Sequence, residues 1–307
     1  MIVDNSWTNV FAPASIGNFG PGFDVLGAAI AGRGDIVGVR KKASRGIELI
    51  DCPDDLPKGD KNTAVAAAKA ASRLLELDFG LELRLEKGLP IGSGLGSSGT
   101  SAVAAAKAVN ILVGNKLSDQ QMIDCAAEAE GVACGTAHHD NVAASLLGGV
   151  VLISTHGALR IETELTLHLA LVTPAQSLTT ERSRQAIPAA IPLAEVIDNS
   201  ARLAQLIYAL SANRLDLLSG AFGDKIATPR RIDLITGGRA ALEAAHRIGT
   251  LGAAISGGGP TLFAACESIE QATAAAEAMQ AAVLLEGSHG AQMHVCTLDR
   301  QGARRVD

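Results

Sequence analysis

The sequence points to a two-domain α+β protein divided near residue 165. Three observations lead there. A chain of 307 residues is longer than one compact core usually requires. Strand-like and helix-like segments alternate along its whole length. Three glycine-dense stretches, 17–27, 92–99 and 252–259, punctuate that alternation where backbone must turn tightly or approach a ligand.

Taken in order, Ile36–Val39 and Ile47–Ile50 read as the first strands. Residues 62–77 are alanine-rich, with Val65, Ala68, Leu74 and Leu75 on one side, and predict a helix. Leu81–Leu85 alternates apolar and polar residues, as a half-buried strand does. A Gly/Ser loop follows, then a long alanine-rich helix to about Val113, stopped by Gly114-Asn115. Ser118 and Gln121 form a capping box for the next helix, which is expected to end at Glu130-Gly131. Strands return at 150–154, 159–163 and 167–172.

Prolines 174, 188, 192 and 229 punctuate the second half, which carries helices at 194–212 and 238–247. A strand pair, 253–256 and 261–265, flanks the third glycine cluster. Ser268 and Gln271 form a second capping box, for a helix ending near Gly287. A strand at 292–298 is expected to close the chain. The division is therefore 1–165 and 166–307.

Composition narrows the function. With 48% hydrophobic and 19% charged residues the chain can bury a large core. A net charge of −6, one Trp and one Tyr argue against a nucleic-acid binder, which needs a basic face and stacking platforms. The five cysteines, 52, 125, 134, 266 and 296, form no CxxC pair, so they suit reduced thiols rather than a zinc site. The first ten residues, MIVDNSWTNV, lack the basic and apolar regions of a signal peptide. No uncharged apolar run approaches the ~18 residues of a membrane span. The expectation is a cytoplasmic protein with no membrane partner.

The most informative stretch is Pro90-Ile91-Gly92-Ser93-Gly94-Leu95-Gly96-Ser97-Ser98-Gly99-Thr100. It leaves a strand and opens a helix, whose free N–H groups and dipole attract anions. Glycines let backbone wrap phosphate oxygens, and Ser97 and Ser98 add hydroxyls, one of which can ligate Mg²⁺. A Walker loop is excluded, because no Lys follows the glycines. Gly94 to Gly99 spells GxGxxG, but a dinucleotide site needs an acid at the end of a following strand, and a helix follows here. A protein-kinase glycine loop is excluded by the absence of HRD and DFG.

Leu89-Pro90 with this Gly/Ser run closely resembles the phosphate signature of the GHMP kinases. Two further motifs match in order. Ala12-Pro13-Ala14-Ser15-Ile16-Gly17-Asn18 through Asp24 to Gly27 resembles the first motif, and Gly252 to Thr261 resembles the third. Between them, Glu130-Gly131, Gly135 and His138-His139-Asp140-Asn141-Val142-Ala143 resemble the form carried by the homoserine kinase branch. One departure is Ala144, where that branch usually carries Pro. The resemblance implies an N-terminal ribosomal-protein-S5-like domain with a left-handed βαβ unit, and a ferredoxin-like C-terminal domain.

It also implies chemistry: ATP and Mg²⁺ as cofactors, phosphoryl transfer to a small hydroxyl acceptor, and by analogy a homodimer. Residues 90–100 would cradle the phosphates, with Asn62 near the adenine and Ser98 and Glu130 at the metal. For a homoserine-like acceptor, Arg184 and Arg231 would grip the carboxylate, since each can do so bidentately. Arg182 and Arg230 are the alternatives if the register slips. Asp24 and Asp140 would take the ammonium, with Asn18 and His138 beside them. Asn141, with Asp140, would act at the reacting hydroxyl, by direct transfer without a carboxylate base. Mevalonate, a sugar or shikimate are the other acceptors. An NAD(P)-dependent oxidoreductase is the reading from another class.

Overall fold

In the computed structural model, residues 6–135 and 137–307 are described. The strands are β1 (Thr8–Gly17), β2 (Leu26–Lys42), β3 (Ile47–Asp51), β4 (Gly80–Glu86), β5 (Val150–Ser154), β6 (Gly157–Ile161), β7 (His168–Pro174), β8 (Gly252–Ile255), β9 (Leu262–Cys266), β10 (Ala291–Thr297) and β11 (Arg304–Val306). The helices are α1 (Thr63–Leu74), α2 (Ser97–Leu112), α3 (Asp119–Cys134), α4 (His139–Leu147), α5 (Thr180–Gln185), α6 (Leu193–Ser211), α7 (Thr228–Arg231), α8 (Gly238–Arg247) and α9 (Ile269–Leu285). No described helix is long and apolar enough to cross a membrane.

The first sheet has the order β11-β1-β2-β4-β3, with β5 on the early part of β2 and β6 outside it. Its pairings are antiparallel except β3 with β4, which α1 connects as a parallel crossover. Valines 10, 37 and 39 and leucines 81 and 83 meet the alanine faces of α1, α2 and α3. Alanine side chains let these helices pack closely at little entropic cost. The second sheet is β10-β7-β9-β8, fully antiparallel. Strand β9 serves two cores by simple alternation. Leu262 and Ala264 face α8 and α9, while Phe263 and Ala265 face α6 and the first sheet. Phe19, Phe222 and Phe263 join the halves, with Phe19 stacked on Phe263 at 5.6 Å and edge-on to Phe222 at 5.3 Å.

Several elements differ from the sequence expectations. Strand β1 and the first part of β2 were missed. Strand β1 is buried on both faces, so it shows no alternation, and Pro13 interrupts its reading. The proline is tolerated because the β1–β2 register shifts between Pro13 and Ser15. Helix α3 does not stop at Gly131. It runs to Cys134 and ends at Gly135 with φ +77°. The capping box of Ser118 and Gln121 is complete, but that of α9 is half formed: Ser268 accepts from the Gln271 N–H, while the Gln271 side chain accepts from Glu267. The chain does not close at 292–298. Strand β11 follows and returns to the first sheet beside β1.

Candidate active site

A cleft of about 490 Å³ lies between the two sheets' layers, and the three motif regions converge on it. The loop leaving β4 forms its floor. Gly92, Gly94 and Gly96 take φ of +68°, +80° and +69°, alternating with Ser93 and Leu95. Such alternation turns successive N–H groups toward one concavity, which is an anion nest. Helix α2 begins at once, with Gly96 as its N-cap and no side-chain cap to occupy its N–H groups. The third motif braces the loop from behind. Ser256 Oγ donates to Gly94 O at 2.6 Å, and Thr261 Oγ1 donates to Ser93 O at 2.6 Å. A Cβ on Gly94 would meet Gly259 O at 2.6 Å, so this close approach requires glycine.

Beside the loop, Ser98 Oγ donates to Glu130 Oε1 at 2.7 Å. Glu130 is 2% exposed, and burial pushes its carboxyl up to about 7, against the Ser98 bond that favours the charge. Its Oε2 accepts from the His138 N–H at 3.2 Å. Among the described residues the nearest basic group is His138 Nδ1, 3.9 Å from Oε2, and burial favours its neutral form. A buried acid bonded to a hydroxyl at a phosphate loop is a hard-oxygen donor set that fits Mg²⁺. Ser93 Oγ, also buried in the loop, has no hydrogen-bond partner among the described residues. An orphaned hydroxyl here fits a phosphate oxygen.

The acid–amide pair follows on α4. Asp140 is buried and its carboxyl is raised to about 6, chiefly by burial, against the Asn18 N–H that donates to Oδ2 at 2.9 Å. Ser15 Oγ donates to Asn141 Oδ1 at 3.0 Å, which fixes the amide and leaves its NH₂ free to donate. Gly17 makes this approach possible: a Cβ there would lie 2.6 Å from Asn141 Nδ2.

At the other end stand the acceptor candidates. Asp24 and Arg184 form a bidentate ion pair at 2.5 and 3.2 Å. Arg231 is 4% exposed and bonded to Ser183 O at 3.0 Å and Gly257 O at 2.9 Å. Both guanidinium groups lie over the Phe23 ring, at 5.2 and 5.1 Å. His138 borders them, its imidazole held below the usual range by burial and then by Arg184. Asn18 ties the set together: it donates to Gly257 O and accepts from the Asp24 N–H. Asn18, Phe19 and Asp24 all hold positive φ, at +66°, +30° and +58°. Strain at three non-glycine residues of one loop is characteristic of functional sites.

The structure brings most expected residues to this cleft, but not all. Leu95 packs into the core at 3% exposure. Thr100 is fully buried and bonds back to Gly96 O, as helical threonines do. Gly99 packs against Glu130 and Val142, and Pro90 is exposed outside the cleft. Asn62 lines the cleft, yet its amide already caps α1 and bonds to Pro57 O. Of the alternative arginines, Arg230 is bound to Glu195 and two carbonyls, and Arg182 is exposed outside the lining. Ala144 is buried inside α4, so that departure from the motif does not reach the site.

Sequence reasoning missed Lys87 and Asp35. Lys87 Nζ meets Asp35 Oδ2 at 2.5 Å, Ser97 Oγ at 2.7 Å, Ser97 O at 2.9 Å and Ser101 Oγ at 3.0 Å, at the first turn of α2. The pair ties the end of β4 to the start of α2, and Lys87 reaches the cleft. Burial holds its ammonium below the usual range, with Asp35 opposing. A lone Lys after a strand carries no sequence signal. Ser183, whose buried Oγ has no hydrogen-bond partner among the described residues and lies beside Gly258, was missed too.

Residues 62–149 match the family model for the GHMP kinases N terminal domain, and 202–284 that for GHMP kinases C terminal. Over 281 residues the chain is 38% identical to a homoserine kinase of Xanthomonas campestris, covering 89% of this chain and 86% of the relative. The chain belongs to the GHMP kinase family. A homoserine kinase of Pyrococcus abyssi is 36% identical over 85% of this chain and 88% of its own. The crystal structure of a homoserine kinase from Cytophaga hutchinsonii superposes with a TM-score of 0.93 at 33% identity, covering 100% of this chain and 99% of that one. The two-domain GHMP kinase fold implied by the motifs is the fold found, and this family member is an ATP-dependent phosphotransferase acting on a hydroxyl group.

Proposed function

We propose that the protein transfers the γ-phosphoryl group of ATP to the side-chain hydroxyl of L-homoserine, giving O-phospho-L-homoserine and ADP, a step toward threonine in the cytoplasm. One observation carries the reading. A single cleft holds a glycine phosphate nest and, beside it, two acids and two arginines: Asp24, Asp140, Arg184 and Arg231. That balance of charge suits a zwitterion better than a sugar, which has no charge, or mevalonate, which has one.

The geometry supports the following roles. The nest and the α2 N-terminus bind the triphosphate, and Lys87 adds a cation at the same turn. Ser98 and Glu130 would hold Mg²⁺, which neutralises charge developing on the phosphates. Arg184 and Arg231 grip the acceptor carboxylate, and Asp24 and Asp140 its ammonium. The Asn141 amide, fixed by Ser15, donates to the acceptor hydroxyl and aims it in line with the phosphoryl group. The hydroxyl proton would pass to an oxygen of the transferred phosphoryl group as the new O–P bond forms and the bond to the β-phosphate oxygen of ADP breaks, so transfer needs no carboxylate base.

A coupled ADP-release assay over L-homoserine, mevalonate, galactose and shikimate tests the assignment. Turnover confined to homoserine is expected, and turnover confined to another acceptor would reject it. Asn141→Ala should lower kcat by about 100-fold with a small change in KM, as loss of an orienting donor does. An acidic limb in the pH profile of kcat at saturating homoserine that disappears in Asp140→Asn would reject transfer without a base; a limb confined to kcat/KM is expected from ammonium binding.

A further inference from the structure

We propose that the Asp24–Arg184 ion pair is a charge-exchange gate that makes the acceptor site select zwitterions; this deepens the proposed function and rests on it. The two groups assigned to the two ends of the acceptor satisfy each other across the cleft, at 2.5 and 3.2 Å. Asp24 belongs to the loop after β1 and Arg184 to α5, so the pair also links the two halves of the molecule. Their side chains are 42% and 39% exposed. Half-exposed pairs contribute little stability, so this one opens readily. Arg231 differs, being buried and fixed to two carbonyls.

Consider what each class of ligand leaves behind. A hydroxy acid would take Arg184 away from Asp24. It would strand Asp24 near Asp140, a second acid whose carboxyl already feels the Asp24 charge. An amino alcohol would take Asp24 and strand Arg184 beside Arg231, two cations over one Phe23 ring. Like charges left together oppose binding. Only a ligand carrying both charges replaces each partner that it displaces. The pair therefore rejects half-ligands without any steric block.

The test uses γ-hydroxybutyrate, which lacks the ammonium, and propanolamine, which lacks the carboxylate. In Asp24→Asn, kcat/KM for L-homoserine should fall by roughly 10- to 100-fold, the loss of a charged hydrogen bond. In the same variant, kcat/KM for γ-hydroxybutyrate should rise by about two- to fivefold, because no ion pair remains to open. Arg184→Gln should give the mirror image, a loss on homoserine and a gain of similar size on propanolamine. Either variant alone decides the matter, so one that fails to fold leaves the other. Parallel losses on homoserine and the half-ligand would overturn the gate while leaving wild-type homoserine turnover, and the proposed function, in place. Wild-type protein that used γ-hydroxybutyrate as well as homoserine would overturn the gate, whereas absence of homoserine turnover would overturn the proposed function.

Discussion

At the phosphate end of the cleft, Lys87 and Asp35 pair with 11% and 0% of their side chains exposed, whereas at the acceptor end Asp24 and Arg184 pair with 42% and 39% exposed. The first pair is surrounded by further bonds, to Ser97, Ser101 and the Gly88 N–H. The second has water on one side and an aromatic ring on the other. The same two kinds of charge thus do different work. A buried pair costs much to separate, so it can hold a loop in one geometry. An exposed pair costs little to separate, so it can yield to a ligand. On the proposed roles, the triphosphate would meet a preformed nest, and the acceptor would meet a site that must open.

This contrast can be broken most sharply at Lys87. Replacing Lys87 with Met strands a fully buried carboxylate and should destabilise the fold by about 3–5 kcal/mol, read by denaturant unfolding. Adding Asp35→Leu to that variant should restore most of the loss, because neither charge then remains. ATP affinity should stay impaired in the double variant, since the cation at the α2 turn is gone. Full recovery of ATP affinity would show that Lys87 acts through stability alone.

Glu130 sharpens the comparison at intermediate size. Its carboxyl titrates near 7 in the fold, against an ordinary 4.5, because it is buried. Between about pH 4.5 and 7 the folded state keeps a proton that the unfolded state has lost. Stability should therefore fall as pH rises through that window, and Glu130→Gln should flatten the dependence. The difference at pH 8 is on the order of 3 kcal/mol in favour of the variant, at about 1.4 kcal/mol per pH unit. Thermal melts of the nucleotide-free protein across pH 5–8 read it, and phosphotransfer should be lost in the same variant.

The smallest effects belong to the acceptor end. Ser183→Ala removes a buried hydroxyl without a partner among the described residues and should raise stability by about 1 kcal/mol. Arg184→Gln should change unfolding free energy by less than about 1 kcal/mol. A large destabilisation by Arg184→Gln would erase the distinction between the two ends.

Much of this was legible in residue order. The glycine spacing in 92–99 announces a positive-φ nest because few other residues adopt that backbone, and the nest is there. Ser98 and Glu130 lie 32 positions apart, yet the motif order placed them together. Other features were not legible. Leu95 and Thr100 belong to the loop by sequence but turn inward, because a strand-to-helix turn must bury alternate side chains. Gly131 looked like a helix stop, but a glycine ends a helix only where the backbone goes left-handed, and that happens at Gly135. Strand β11 carries too few residues to signal itself; its pairing with β1 comes only from the returning chain.

By itself the sequence determined the local geometry: where backbone must turn, which helices are capped, and which stretch can wrap an anion. These depend on residues a few positions apart, so order alone encodes them. The tertiary structure decided which charges meet. Asp35 with Lys87 spans 52 positions and Asp24 with Arg184 spans 160, and whether each pair is buried or wet depends on the packing of two sheets around the cleft. Burial sets the strength of an ion pair, and burial is a property of the whole fold.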